Sequence, residues 1–417
     1  MPKINKGAET IPFYLTKKVS EMAAEEPGVV NLSRGQAGFL PPQEIYEEAR
    51  RIINREDKSI FRYEKSAGAK GLRQSIANWY GRIFNLDVDP RYVAVTAGGT
   101  GAISMALQTF SNYGDQIVIP DPSYPFYMLS ANHGLEGRDI TRLNMGRGKV
   151  DRKKLESVVK KNMQMVILTS PHNPTGVVYD AETLKGIMEL AKEKDFFVMY
   201  DENHFPEVYD GARHLPIQLF DEGRTHSIML GSLARLAIQG ERVGWAVLPH
   251  LKDIASIYTA QSPFVCTRAQ KLAEFVLDNY EHLGFEKNFK DYKEKRNLLV
   301  PEINKIEGFT CDMPEGTSYA FPNIAKFAEQ NLEKLEKIVY EESERRDVSK
   351  EDLQISLKHD SILVSKFLLY EAGIGVVPGI AYGPASDDCV RFTFSVSKEE
   401  VEEAIKRLGE VNKILRS

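Results

Sequence analysis

Cysteine is scarce in this sequence of 417 residues, and surplus positive charge is absent. The three cysteines are far apart and odd in number, so we expect neither a metal cluster nor a disulfide framework; they are Cys266, Cys311 and Cys389. Lysine and arginine number 54 against 59 aspartates and glutamates, which gives a formal net charge of -5. Since no basic surplus exists to neutralise a phosphate backbone, we expect no nucleic-acid partner.

Long apolar runs are also missing. No stretch of about 18 apolar residues occurs, and the N-terminal segment "MPKINKGAETIPFYLTKK" has no apolar signal core. We therefore expect no membrane span, no secretion and a cytoplasmic location. The hydrophobic fraction of 42% and the charged fraction of 27% are ordinary for a globular enzyme, and the length predicts more than one structural unit.

Short apolar runs alternate with amphipathic segments through the middle of the chain. Two segments, "GGTGAISMALQTFSNYG" and "DAETLKGIMELAKEKD", place apolar residues at the i, i+3, i+4, i+7 spacing of a helix. Five β-branched apolar runs bounded by Gly, Pro or Asp are typical of buried strands: residues 92–96, 116–120, 164–170, 196–201 and 226–231. This alternation predicts a mainly parallel sheet covered by helices on both faces.

The sequence changes in character near residue 285, where long charged helices begin. The later segment "DCVRFTFSVSKEEVEEAIKRL" predicts a strand and then a helix that Ser397 and Glu400 cap. We thus predict an α/β fold with a three-layer α/β/α large domain, whose mixed sheet is mainly parallel, and a smaller α+β domain. The large, ligand-binding domain would comprise residues 46–285, and the small domain residues 1–45 and 286–417.

The residues that follow each strand are the candidates for chemistry, because open α/β folds bind ligands at the carboxyl ends of their strands. After the first strand, a helix begins that could cradle an anion with its backbone N–H groups and a hydroxyl; its first residues are Gly98, Gly99 and Thr100. Tyr124 follows the second strand and could stack on a planar ring. Asn173 precedes a proline, which favours an extended backbone that aims its amide at the same place. Each also has an ordinary explanation as a turn or core residue.

Three charged residues complete this set. Asp201 ends an apolar strand, where its burial is costly unless a cationic ring nitrogen, an arginine or the backbone is its partner. Arg242 lies in "GERVGW", and Arg391 lies alone in an apolar strand. A buried guanidinium favours an anion as its partner. Together the candidates suit a ligand with a phosphate, a planar cationic ring and a carboxylate.

In order and spacing, "SPHNPTG", "YDE" and "GERVGW" resemble the fold-type I pyridoxal-phosphate-dependent aminotransferases of class I/II. The resemblance extends from "NLSRGQAGFLPP" to "GIGVVPGIAYGPASDDCVRFTFS". It implies pyridoxal 5'-phosphate as cofactor, an α-amino acid and a 2-oxo acid as substrates, and chemistry through an aldimine and removal of the Cα proton. Tyr63 matches a tyrosine that reaches the phosphate from the neighbouring subunit, which implies a homodimer with shared sites.

The resemblance also implies a role for each candidate. Tyr124 would stack on the pyridine ring, and Asp201 would pair with the protonated ring nitrogen. Asn173 would hydrogen-bond the phenolate oxygen and lie at the substrate carboxylate, which Arg391 would bind. The phosphate would be held by Gly98, Gly99, Thr100 and Arg242.

Two positions on the cofactor side depart from the family pattern. His204 stands where the family has a tyrosine that shares the phenolate, and "HLP" ten residues later is similar to the carbon–sulfur β-lyases of the same superfamily. A β-eliminating lyase or a cyclase is therefore an alternative function. Ser232, which the resemblance places near the phosphate, is out of register with the family's serine.

The main departure is the Schiff-base lysine, because eight residues before Arg242 the sequence has Ala234. Arg235 cannot replace it, since a guanidinium stays protonated and forms no imine, and a register shifted by one residue still supplies no lysine. A deliberate replacement of lysine by alanine would trap a cofactor–substrate adduct. A naturally lysine-less relative would instead be a non-catalytic protein that binds the cofactor or an amine. Because the other site residues are intact, we favour the replacement and expect poor turnover.

Overall fold

The computed structural model describes most of the chain, namely residues 12–55, 58–132, 138–146, 148–262, 264–346 and 348–415. Its strands are β1 (Val30–Asn31), β2 (Val93–Ala97), β3 (Gln116–Asp121), β4 (Asp139–Asn144), β5 (Met163–Thr169), β6 (Phe197–Asp201), β7 (Ser227–Ser232), β8 (Val243–Val247), β9 (Tyr319–Ala320), β10 (Ile374–Gly375), β11 (Val377–Pro378) and β12 (Val390–Thr393).

The α-helices lie mostly between these strands and in the last third of the chain. They are α1 (Pro12–Glu25), α2 (Gln43–Asn54), α3 (Lys70–Phe84), α4 (Gly98–Phe110), α5 (Pro125–Asn132), α6 (Arg152–Glu156), α7 (Ala181–Lys194), α8 (Ile254–Thr259), α9 (Thr267–Asp278), α10 (Phe285–Ile303), α11 (Ala325–Arg345), α12 (Lys350–Leu357), α13 (Asp360–Tyr370), α14 (Lys398–Leu408) and α15 (Val411–Ile414).

A seven-stranded sheet of order β2-β8-β7-β6-β5-β3-β4 forms the centre of the molecule. β8 runs antiparallel to both of its neighbours, and the remaining pairs are parallel. The prediction of a mainly parallel mixed sheet is therefore confirmed. The five predicted runs coincide with β2, β3, β5, β6 and β7 to within one residue at each end, whereas β4 and β8 were not predicted.

Apolar side chains cover both faces of this sheet. Along β3, Ile117 belongs to the same buried cluster as Ile103 of α4, whereas Val118 belongs to the cluster that contains Leu184 of α7. Successive residues of a strand point to opposite faces, so the sheet lies between two layers of helices. This arrangement confirms the three-layer α/β/α architecture.

The two ends of the chain meet in the smaller part of the structure. β1 pairs in parallel with β10, with Val30 opposite Ile374, and β11, β12 and β9 form a small antiparallel sheet. Ser397 caps α14 in a capping box with Glu400. The domain boundaries given above stay a prediction.

The loops that carry the candidate residues lie at one edge of the large sheet. The parallel strands β2, β3, β5, β6 and β7 all end there, and β8 begins there because it runs in the opposite direction. Residues 233–242, which join β7 to β8, therefore leave and re-enter the sheet at the same edge. This segment contains both the alanine at position 234 and Arg242.

In the described ranges, no helix combines the length and the apolarity that a membrane crossing requires. Those ranges also contain no group of three or more His, Cys, Asp or Glu side chains arranged to hold a metal ion.

Candidate functional site

A cavity of about 420 Å³ lies where the ends of β5, β6 and β7 meet the start of α4. Most residues that the sequence singled out line it: Gly99, Thr100, Tyr124, Asn173, Asp201, His204, Ser232, Ala234, Arg242 and Arg391. Among the described lining residues there is no lysine. Tyr63 does not line the cavity of its own subunit, and its side chain is 83% exposed.

The first turn of α4 and the guanidinium of Arg242 form one end of the cavity. Nη2 of Arg242 donates to Oγ1 of Thr100 at 3.2 Å. Gly98 has a φ of +75°, and a Cβ there would lie 2.5 Å from Nη2 of Arg242. A cation beside the unpaired N–H groups of a helix start is suited to a phosphate.

Asp201 occupies the end of β6 and is buried. Oδ2 accepts a hydrogen bond from the Tyr127 hydroxyl at 2.7 Å, and Oδ1 accepts from the backbone N–H and Nδ2 of Asn203 at 2.9 and 2.6 Å. Burial raises the pKa of Asp201 above its ordinary value, although these hydrogen bonds oppose the shift. A cationic group of a ligand would therefore stabilise the ionised carboxylate.

Tyr124 and Asn173 lie on the wall of the same cavity. The ring of Tyr124 packs edge-on against Tyr127, with centroids 5.6 Å apart, and burial raises the pKa of its hydroxyl to about 12. The hydroxyl therefore stays protonated at neutral pH. Oδ1 of Asn173 lies 3.5 Å from Nη1 of Arg391. The amide is therefore next to the arginine that the sequence indicated as a carboxylate-binding residue.

Arg391 is buried on β12 and has no carboxylate partner among the described residues. Nη2 donates to the backbone carbonyl of Ser33 at 2.9 Å, and Cζ lies 4.0 Å from the centroid of the Tyr319 ring. Its Nε is buried without a hydrogen-bond partner in the described part of the chain. A guanidinium held in this way can bind a carboxylate bidentately.

His204, a departure from the family pattern, contacts Arg235, the neighbour of the missing lysine's position. Nε2 of His204 lies 3.0 Å from Nη2 of Arg235, and Nδ1 of His204 lies 2.6 Å from Oε2 of Glu207. Arg235 also donates to the hydroxyl of Tyr319 at 2.7 Å. The Ser232 hydroxyl accepts a hydrogen bond from the backbone N–H of Ala234 at 3.3 Å, so this serine supports the segment that carries Arg235.

The sequence did not single out several residues that shape the cavity. Tyr127 and Asn203 donate hydrogen bonds to Asp201. Tyr319 contacts both Arg235 and Arg391, and Glu207 lies near Arg235. Arg235 was considered only as a failed replacement for lysine. Its place within the apolar run from Leu233 to Ile238 was the available signal, since a guanidinium in such a run needs polar partners if the run is buried.

Comparisons with known proteins identify the family of the chain. A family model described as "Aminotransferase class I and II" matches residues 27–408. The aspartate aminotransferase of Pyrococcus horikoshii is 26% identical over 411 residues, which cover 96% of this chain and 96% of the relative. The probable aspartate aminotransferase of Methanocaldococcus jannaschii is 28% identical over 392 residues, which cover 92% and 93% of the two chains.

Solved structures show the same fold. The aromatic aminotransferase from Pyrococcus horikoshii superposes with a TM-score of 0.78 at 25% identity and covers 95% of this chain and 98% of that chain. The aspartate aminotransferase from Thermus thermophilus with maleate gives a TM-score of 0.81 at 23% identity, covering 99% and 100%.

Proposed function

Since this chain belongs to the class I and II aminotransferases, we propose that it binds pyridoxal 5'-phosphate and acts on the amino group of an α-amino acid, with a 2-oxo acid as the other substrate. The observation that carries this proposal is the presence of Asp201, Arg242 and Arg391 around one cavity. They provide an anion for a ring nitrogen, a cation for a phosphate and a cation for a carboxylate.

The residues present fit the cofactor. Asp201 is buried and fixed by three hydrogen bonds, so it is oriented for a protonated ring nitrogen. Gly98 leaves room for Arg242 beside Thr100, where the phosphate would bind. When bound, pyridoxal phosphate supplies a cationic ring that withdraws electrons from the Cα–H bond of the amino acid.

Arg391 would orient the substrate through its α-carboxylate. Its guanidinium already lies against Tyr319 and Asn173, so little conformational entropy is lost when the carboxylate binds. The amino group and the Cα–H bond would then be held at a fixed position relative to the cofactor.

Position 234 holds an alanine, and the described residues that line the cavity include no lysine that could carry the Cα proton or bind the cofactor covalently. We therefore expect this chain to bind the cofactor non-covalently and to turn over poorly. Deliberate replacement of a lysine stays one hypothesis. A second function, that of a naturally lysine-less cofactor- or amine-binding protein, is favoured by Arg235. Its side chain lines the cavity and contacts His204, which is a departure from the family pattern.

A titration of the cofactor-free chain with pyridoxal 5'-phosphate, followed by absorbance, tests the shared part of both functions. We expect saturable uptake that Asp201→Asn weakens about tenfold or more, because a charge-assisted hydrogen bond is lost. The matched control is Asp195→Asn, on an exposed carboxylate outside the cavity. Absence of uptake by the unchanged chain would refute the proposal.

Restoring a lysine separates the two functions. Ala234→Lys, with Arg235→Lys as a companion for the shifted register, should form 2-oxo acids from amino acids if the chain derives from a working aminotransferase. Pyruvate and ammonia from a β-substituted amino acid would indicate the β-eliminating lyase instead. If neither variant forms product although both bind the cofactor, the chain is a binding protein.

We also propose a homodimer in which Tyr63 reaches the neighbouring subunit's cavity. The support is an exposed aromatic surface away from the chain's own cavity, where the rings of Tyr63 and Phe264 lie 4.7 Å apart and Phe61 is 78% exposed. Sedimentation at several concentrations should give a dimer, and Tyr63→Ala should weaken cofactor binding. A monomer at all concentrations would contradict this.

A cytoplasmic location is part of the same proposal and is supported by the few, scattered cysteines.

A further inference from the structure

His204 has no N–H group left for a ligand. Its Nδ1 lies 2.6 Å from a carboxylate oxygen of Glu207, and its Nε2 lies 3.0 Å from Nη2 of Arg235. A guanidinium can only donate hydrogen bonds, so Nε2 accepts from Arg235 and the ring proton is on Nδ1, where Glu207 accepts it. Burial and the nearby Arg235 lower the pKa of His204, which keeps the ring neutral.

Arg235, in contrast, has donors to spare. The residue is 7% exposed, and its Nη2 is used by His204 and by the Tyr319 hydroxyl. Its Nη1 is buried without a hydrogen-bond partner in the described part of the chain. The carboxylate oxygen of Glu207 is 3.9 Å from Nη1, which is longer than a hydrogen bond.

Oε1 of Glu207 is likewise buried without a hydrogen-bond partner in the described part of the chain, so one of the two N–H groups on Nη1 can turn toward it. The other N–H group needs a further acceptor, because an unpaired guanidinium N–H in a buried place is costly, and a ligand in the cavity can supply that acceptor. Arg235 lines the same cavity as Asp201 and Asn173. The family resemblance puts the cofactor's phenolate oxygen beside Asn173 and beside the residue at position 204. Arg235 lines the cavity and contacts position 204 through its Nη2, and it is charged at every accessible pH.

We propose that Arg235 donates a hydrogen bond to the phenolate oxygen of pyridoxal 5'-phosphate, and that His204 positions Arg235 instead of contacting the cofactor. This inference rests on the cofactor proposed above. The chain then holds the cofactor without a covalent bond, at three points: the phosphate, the ring nitrogen and the phenolate oxygen. Arg235 thereby takes a binding role next to the position, 234, where the resemblance places the family's covalent lysine.

The test compares pyridoxal 5'-phosphate with its analogue that lacks the 3-hydroxyl group. We expect the unchanged chain to bind the analogue about ten- to a hundredfold more weakly, which is the range of a hydrogen bond between charged groups. Arg235→Gln should reduce this discrimination to the smaller part that a neutral hydrogen bond from Asn173 supplies. His204→Gln should keep most of the discrimination, because the glutamine amide oxygen can still accept from Arg235.

Two further variants keep the test decisive. The hydroxyl of Tyr319 accepts a hydrogen bond from Arg235 and retains its own proton. This hydroxyl could therefore donate to the phenolate oxygen in place of Arg235, and Tyr319→Phe removes that donor. Arg235→Gln leaves Glu207 buried without its cation, so the double variant Glu207→Gln/Arg235→Gln is measured beside it, and circular dichroism reports whether each variant folds.

Each outcome has one meaning. Discrimination that is undiminished in both Arg235 variants, or that disappears only in Tyr319→Phe or His204→Gln, overturns the inference. If the unchanged chain binds neither compound, the proposed function has failed instead.

Discussion

Arg391 lies on the face of the Tyr319 ring, with Cζ 4.0 Å from the ring centroid. The hydroxyl of the same tyrosine accepts a hydrogen bond from Arg235. Tyr319 therefore contacts both arginines, one through its face and one through its edge. A single side chain from β9 thus orients the group proposed for the substrate carboxylate and the group proposed for the cofactor.

Arg391→Lys should weaken substrate binding and leave cofactor binding unchanged. Lysine keeps the charge but cannot bind a carboxylate bidentately or stack on Tyr319, so we expect the amino-acid affinity of the loaded chain to fall about tenfold. A spectral titration with amino acids measures this. The control is Arg91→Lys, whose exposed guanidinium pairs with Asp89 at the surface. An equal loss in both variants would argue against a role for Arg391.

Gly98→Ala should weaken binding of the phosphate. The new Cβ would lie 2.5 Å from Nη2 of Arg242, which must move away from Thr100. We expect the affinity for pyridoxal 5'-phosphate to fall about tenfold or more, and that for pyridoxal without its phosphate to change little. Gly114→Ala is a matched control, since Gly114 also has a positive φ, of +84°, and a Cβ there would meet nothing within 4 Å. The same loss with Gly114→Ala would assign the effect to backbone strain.

Tyr127→Phe should shift the pH dependence of cofactor binding. Burial raises the pKa of Asp201, and the hydrogen bond from Tyr127 opposes this shift. The ionised carboxylate is the form that pairs with a protonated ring nitrogen, so affinity should fall as the pH falls through the pKa of Asp201. Loss of the hydrogen bond raises that pKa further, and we expect the acidic limb of binding to move upward by about one pH unit. Superimposable titration curves would contradict this.

His172 should make the folded chain less stable in mild acid. It is fully buried, and burial lowers its pKa from 6.5 to about 3. Below pH 6.5 the unfolded chain binds a proton that the folded chain does not, so the free energy of unfolding should fall by about 2 kcal/mol between pH 6.5 and 5 from this residue. Urea unfolding of His172→Gln should show a correspondingly smaller decline. Parallel pH profiles for the two proteins would exclude this contribution.

The sequence predicted the parallel strands well because their burial on both faces gives continuous apolar runs. β4 lacks this signal, since Arg142 and Thr141 interrupt its apolar residues and most of the strand is half-buried. β8 was read only as a phosphate-binding segment, although its five residues are all buried. β8 runs in the opposite direction because residues 233–242 connect it directly to its neighbour β7. The spacing of apolar residues in the sequence does not reveal this direction.

The candidate site was predictable where chemistry follows a strand end, as for Asp201 and Asn173. It was not predictable where a contact joins distant parts of the chain. Tyr319 meets Arg235 across 84 positions of sequence, and Tyr80 reaches Glu202, the neighbour of Asp201, across 122. Such pairs depend on how the two parts of the molecule pack, and no local pattern encodes them.

The loop of residues 233–242 begins and ends at paired strands, because Ser232 of β7 lies opposite Gly244 of β8. Leu233, Leu236 and Ile238 of this loop are buried in the main apolar cluster, so their packing fixes which side chain faces the cavity. A one-residue insertion or deletion between Leu233 and Leu236 should therefore displace Arg235 from the cavity and lower the stability of the fold.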